Sequence, residues 1–257
     1  LLYDMAKYAN GANGHIPDGG MIATVFCNFT GTILSTVVLN LQLHVKSNKP
    51  GEDNLMDFLM GDYASNKNQE TGYTVFDLGT VQYEQSRNIV LNTKSDSNFT
   101  YYYTYKIGGR SCKSKEVTIN NLESLNENEI EIDTHINRYS LVEECRKMVN
   151  SNKIGNTSES AELFKQLVTK LETSKSKHMP LTIGLLKNLK GDGTNAGQIN
   201  LAINNNQYFE KWGEFYIDQL TRSMNQQIKP NFKDEGCLFG GSTFENIVDI
   251  ASDIFDT

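Results

Sequence analysis

Apolar positions recur along this chain in changing rhythms. In "LLYDMAKYAN", Leu1, Leu2, Met5, Ala6 and Tyr8 fall at helical spacing, and Asn10-Gly11 supplies a C-terminal stop. The chain thus opens in the middle of a pattern. "GHIP" reads as a short strand and Asp18-Gly19-Gly20 as a turn. A second helix begins near Met21, with Ile22, Val25, Phe26, Phe29, Ile33 and Leu34 on one face. From about Thr36 the period falls from 3.6 to 2. "TVVLNLQLHV" alternates, with Val37, Leu39, Leu41, Leu43 and Val45 on one side and Val38, Asn40, Gln42 and His44 on the other.

Further strands are predicted at "YTVFDL" (73–78), "TVQYEQSRNIVLNT" (80–93), "NFTYYYTYKI" (98–107) and "KSKEVTIN" (113–120), separated by turn material. Five strands at this spacing predict an antiparallel β-sandwich. Alternate Tyr and Phe in "YYYTY" are expected to fill one core face and one amphipathic outer face. The acidic, Asn-rich stretch 120–135 reads as a connector or a last strand around Ile130–Ile132.

The helical period then returns. Leu141, Val142, Cys145, Met148 and Val149 form one stripe, and Leu163, Leu167, Val168 and Leu171 a second. "LTIGLLKNLK" (181–190) follows Pro180, a longer helical run continues from Gly197 to about Gln227, and Pro230 ends it. A last helix carries Phe244, Ile247, Val248, Ala251, Ile254 and Phe255 on one stripe. The fold class is therefore mixed α and β, in three parts. Residues 1–35 form a partial α/β piece, 36–135 the sandwich and 136–257 a C-terminal helical bundle.

With 257 residues, 38% of them hydrophobic, the chain can bury a substantial core. Its net charge of −7 argues against nucleic acid as a partner. Met21–Val45 is the longest apolar stretch, but Asn28, Thr30, Thr32, Ser35, Thr36, Asn40, Gln42 and His44 break it up, so it reads as a buried helix running into a strand rather than a membrane span. Cys27, Cys112, Cys145 and Cys237 are far apart, lack the spacing of a zinc site and are expected to be free thiols. Sequons occur at Asn28, Asn98 and Asn156, and Asn28 lies in an apolar helical run unsuited to a glycan.

Candidate chemistry is sparse. None of His15, His44, His135 and His178 sits in a nucleophile or zinc-protease motif. "KGDGTNAG" (190–197) lacks the Lys-Ser/Thr pair of a phosphate loop and reads as a helix–helix loop, and "CLFGG" (237–241) as a turn before a helix. No catalytic, cofactor-binding or metal-binding residue is therefore assigned. "YFEKWGEFYIDQL" clusters Tyr208, Phe209, Trp212, Phe215 and Tyr216, either core packing or an anchor for a partner.

"LLYDMAKYANGANGHIPDGGMIATVF" resembles the closing helix–strand–helix of a von Willebrand factor A (VWA) domain. "FDLGTVQYEQSRNIVLN" is similar to the β-sandwich that trails that domain in multidomain proteins such as inter-alpha-trypsin-inhibitor heavy chains. "WGEFYIDQLTRSMNQQ" and "NFKDEGCLFGGSTFENIVDIASDIFD" resemble the helical region of proteins that join a VWA domain to an intein-like (Hint) module, and more distantly RING–VWA ubiquitin ligases. The resemblance implies that Mg²⁺ binding, through an Asp-x-Ser-x-Ser loop, belongs to a complete VWA domain upstream of Leu1, and that no residue here inherits it. It also implies a scaffold or protein-interaction role. The alternatives are an accessory region of a ubiquitin ligase or self-processing protein, and an extracellular adhesion protein. Protein partners are expected; a cytoplasmic or cytoskeletal place stands ahead of an extracellular one, and the oligomeric state is left open.

Overall fold

The computed structural model describes residues 5–6, 14–16, 18–48, 60–91, 98–119, 128–230, 232 and 239–255. Met5 and Ala6 are helical, and the rest of the first predicted helix lies outside those residues, as do the connector 120–127 and Cys237. Gly14, His15 and Ile16 are irregular rather than a strand. Asp18 starts the next element: its carboxylate accepts from the Gly20 amide at 2.8 Å, and a short 3-10 turn leads into helix α1, Ile22–Ser35.

The chain passes directly from α1 into β1 (Thr36–Ser47), followed by β2 (Ser65–Lys67), β3 (Thr74–Gln82), β4 (Phe99–Ile107), β5 (Arg110–Lys113) and β6 (Val117–Ile119). All six join one antiparallel sheet in the order β2-β3-β1-β4-β5, with β6 on the end of β4. The spacing predicts two sheets; the strands of the described residues form one open sheet. Its core face carries Leu43, Val45, Phe76, Leu78 and Phe99, covered by Tyr63, Ile89 and Leu91 from irregular chain rather than by a second sheet. On the opposite face the His44 ring stacks on Tyr102 at 4.4 Å, its Nε2 lies 2.9 Å from Thr104 Oγ1, and the Lys113 ammonium sits 3.8 Å over the Tyr102 ring.

The predicted alternation of β1 breaks at a bulge. Asn40 takes φ +50 and the pairing with β3 slips between Val38 and Leu41, while Gly79 at φ +79 sits opposite a second slip. One extra residue reverses the facing of everything beyond it. Val38 therefore lines the same cavity as Leu41, and Leu39, expected inside, is 48% exposed.

The helical half contains α2 (Glu129–Lys153), α3 (Thr157–Thr173), α4 (Pro180–Lys190), α5 (Gln198–Asn204), α6 (Glu214–Gln226) and α7 (Ser242–Phe255). Helix α2 starts at Glu129, so Ile130–Ile132 are helical and not a strand; Glu129 and Glu131 in the first turn suit the positive end of the helix dipole. Met148, Leu167, Leu171, Leu185, Ile199 and Leu220 belong to one buried cluster joining α2 to α6. Between α4 and α5 the loop closes on itself: Asp192 Oδ1 accepts from the Thr194 and Asn195 amides at 2.9 and 2.8 Å. These bonds hold its carboxyl below the usual range. Cys27, Cys112 and Cys145 are free, and complete burial pushes the Cys145 thiol up to about 12.

Sheet and bundle meet through polar groups. Arg138 on α2 is 0% exposed. Its guanidinium donates to the carbonyls of Met224, Asn225 (3.3 Å) and Asn88 (2.8 Å), and its Nε approaches His135 Nδ1 at 3.3 Å. Tyr139 donates to the Asn88 carbonyl at 3.0 Å, and Tyr63 to that of Asn225 at 2.7 Å. The Asn225 amide group grips both backbone groups of Asp62 at 3.1 Å. Gln227, left-handed at φ 49, ends α6 and binds Asn88 through its side chain, Nε2 donating to Asn88 Oδ1 at 2.9 Å.

Accepting from Arg138 requires a neutral His135, and burial followed by repulsion from Arg138 lowers its pKa to about 4. Between that value and the ordinary 6.5 the unfolded chain binds a proton that the folded chain does not, so this residue's contribution to stability falls as the pH drops through that window. His135→Gln is expected to flatten the decline of urea-unfolding stability over that window relative to the parent chain. An imidazole signal titrating near its ordinary midpoint in the folded protein, with identical pH profiles for both chains, would contradict this.

Candidate interaction surfaces

Helices α1 and α7 pair on a row of small residues. Cys27, Gly31 and Ser35, each four positions apart, are buried on α1. A Cβ at Gly31 would stand 2.7 Å from Val248 Cγ2 and 2.9 Å from the Phe244 ring. Glycine is what permits this close crossing, and Phe244 beside it is 1% exposed.

The face predicted to be buried on α1 is largely the one that faces outward. Phe26, Ile33 and Leu34 are 54%, 69% and 65% exposed, and on α7 Ile250, Ile254 and Phe255 are 62%, 69% and 53% exposed. The expected stripe on α7 divides likewise, Phe244 inward and Ile254 and Phe255 outward. Single exposed apolar residues are ordinary, whereas here they recur along two packed helices, which makes this side a candidate contact surface. A signal for it was present in the sequence. Helix α1 contains no charged residue, and its large apolar side chains, Ile22, Val25, Phe26, Phe29, Ile33 and Leu34, are more than its one buried row takes up.

The five aromatic residues of the Trp212 cluster do not share one face. A π-helical stretch, Phe209–Gly213, runs into α6 and its wider turn rotates the side chains between the two ends. Phe209 enters the bundle core, whereas Tyr208 is exposed and Phe215 stacks on the His15 ring at 4.2 Å. Trp212 and Tyr216, 5.7 Å apart edge to face, pack against the core and line a cavity of about 540 Å³ with Phe232, His15 and Asp18. Gly213 permits α5 to pack closely against this stretch, since a Cβ there would lie 2.9 Å from the Ala202 carbonyl. No group of His, Cys, Asp and Glu residues suited to a metal ion occurs among the described residues. Among them, too, no helix is long and apolar enough to cross a membrane.

Residues 161–253, from within α3 to near the end of α7, match a family model described as VWA / Hh protein intein-like. That region is VWA/Hint-like. No curated protein and no solved structure matches the chain. The VWA/Hint-like region contains both the Trp212 cluster and the exposed side of α7, while α1 and the whole sheet lie before it.

Substituting Gly31→Ala is expected to force α7 away from α1, at about 1–3 kcal/mol for an overpacked contact. Hydrogen exchange should then rise in 242–255 while α2 and α6 keep their protection. Unchanged exchange in α7 would show that the crossing is looser than the 2.7 Å clearance indicates.

Proposed function

We propose that this chain is a non-catalytic interaction segment of a larger VWA-domain protein, a scaffold whose work is done by surfaces. In this reading residues 1–35 close a VWA-like α/β unit, the strands and their covering chain form the sandwich-like middle, and the helices form the VWA/Hint-like end. The chain carries no catalytic residue of its own, and any Mg²⁺ site belongs to a complete VWA domain.

One observation carries the proposal: the outward apolar side of α1 and α7, with Phe26, Ile33, Leu34, Ile250, Ile254 and Phe255 all more than half exposed. At roughly 25 cal/mol per Å² of apolar surface removed from water, covering such a face supplies a substantial driving force for association. The match of residues 161–253 to the VWA/Hint-like family supports the same context. The Trp212 side chain, half-buried beside its cavity, is the second contact point in this reading.

Hydroxyl-radical footprinting tests the proposal by comparing this 257-residue chain with the full-length gene product. Phe26, Ile33 and Leu34 are expected to be oxidised severalfold more slowly in the longer protein. Equal oxidation of the three in both would sink the reading.

A further inference from the structure

Helix α7 has two apolar stripes, and α1 takes up one of them. Phe244 and Val248 turn inward onto Gly31. At roughly 100° per residue, Ile250 and Ile254 stand on the side opposite Val248, 62% and 69% exposed, with Ile247 half-buried beside them. Ile247, Ile250 and Ile254 follow one another at steps of three and four positions, the spacing by which one helix seats another. The start of the helix is anchored, since Ser242 Oγ donates to Glu84 Oε2 at 2.8 Å, so the second stripe is presented on a fixed element.

The charge beside this stripe is of one sign. Glu245, Asp249 and Asp253, each four positions apart, form an exposed acidic row along its edge, and α7 contains no basic residue. Lys229 Nζ reaches Glu245 Oε1 at 2.8 Å. Asp249 and Asp253 have no ion-pair partner among the described residues, and α1, uncharged throughout, supplies none. Like charges at this spacing cost helix stability, which an incoming cation recovers. A second copy of this chain brings the same acidic side and no cation for it. An anionic lipid surface is repelled for the same reason.

We infer that α7 docks an amphipathic helix of a protein partner, whose apolar row seats on Ile247, Ile250 and Ile254 and whose Lys or Arg residues flank that row opposite Asp249 and Asp253. The mode is helix against helix, read through anchors at i, i+3 and i+7. The apolar contact supplies the affinity, and the acidic edge selects the partner's charge and register. The inference rests on the scaffold reading for one premise, that this outward apolar side is a contact surface. It adds the partner's chemistry and the helix that reads it.

The probe is a synthetic amphipathic peptide of about three heptads, with Leu at the seam positions and Lys at the positions flanking them, and a twin carrying Glu in place of every Lys. Titrated into the whole chain at low salt, the Lys peptide is expected to bind with a Kd below roughly 100 μM and the Glu twin at least about 10-fold more weakly. Methyl NMR signals of Ile250 and Ile254 should shift and saturate with the same constant. The double variant Asp249→Lys, Asp253→Lys should reverse the preference between the two peptides, a result that loss of folding cannot mimic. Ile250→Gln with Ile254→Gln keeps every charge and, at positions this exposed, the fold; it should weaken binding of the Lys peptide at least about 10-fold. Equal binding of both peptides, no saturable binding, an unchanged preference in the Lys variant or undiminished binding in the Gln variant would overturn the inference. So would Ile250 and Ile254 signals that shift with chain concentration alone, the mark of a second copy. Protection of Phe26, Ile33 and Leu34 in the full-length gene product, together with no peptide binding, would overturn this inference and leave the scaffold reading standing.

Discussion

A guanidinium taken fully out of water must find acceptors for its N–H groups, and Arg138 finds them because separate parts of the chain converge on it. Helix α6 ends at left-handed Gln227, whose amide bonds back to the Ser223 carbonyl together with that of Ile228. That motif leaves the next carbonyls of the helix without backbone partners. Arg138 takes those of Met224 and Asn225, Tyr63 takes Asn225 as well, and the Gln85 side chain reaches Gln226 at 3.3 Å. The end of α6 is thus capped from α2 and from the chain that covers the sheet. Positive charge at a helix C-terminus also suits the dipole. Because Arg138 and Tyr139 share the Asn88 carbonyl, the same bonds fix segment 85–91 on the sheet.

The rest of the architecture follows from that anchoring. With 85–91 held at Asn88, Ile89 and Leu91 can cover the core face of the sheet in place of a second layer, and Arg87 is carried into the space beneath. Arg146 adds an ion pair to Asp62 at 2.9 Å on the same side of α2. The α1/α7 pair stands on different physics, a close crossing of small residues with apolar sides turned outward. One junction is polar, directional and closed within the chain, while the other is apolar and leaves large apolar side chains exposed.

Much of the element order was legible, because each element follows its own period: α3 shows a 3.6-residue stripe at Leu163, Leu167 and Leu171, and Pro180 opens α4. The facing of β1 was not, since a bulge at Asn40 leaves no mark in the alternation of Val37, Leu39 and Leu41. Nor was the division of the Trp212 cluster, because a five-residue π-helical stretch shifts the phase by an amount that the apolar spacing does not encode. Ile130–Ile132 looked like a strand because alternating Glu and Ile mimic period 2 over a short window. Arg138 left a trace that sequence reasoning passed over. Leu141 and Val142 belong to the buried stripe of α2, and Arg138, three and four positions before them, is a charged residue at a core position, which signals a buried network.

The claim that this network welds sheet to bundle is tested most directly by hydrogen exchange across a urea series in Arg138→Met. In the parent chain, peptides from β1 and β3 should lose protection together with those from α2 and α6. The variant leaves buried carbonyls without donors, which costs roughly 3 kcal/mol or more. The account predicts that its sheet peptides then open in a separate transition at lower urea, ahead of the bundle. Coincident opening of sheet and bundle in the variant, at the parent's urea midpoint, would contradict it.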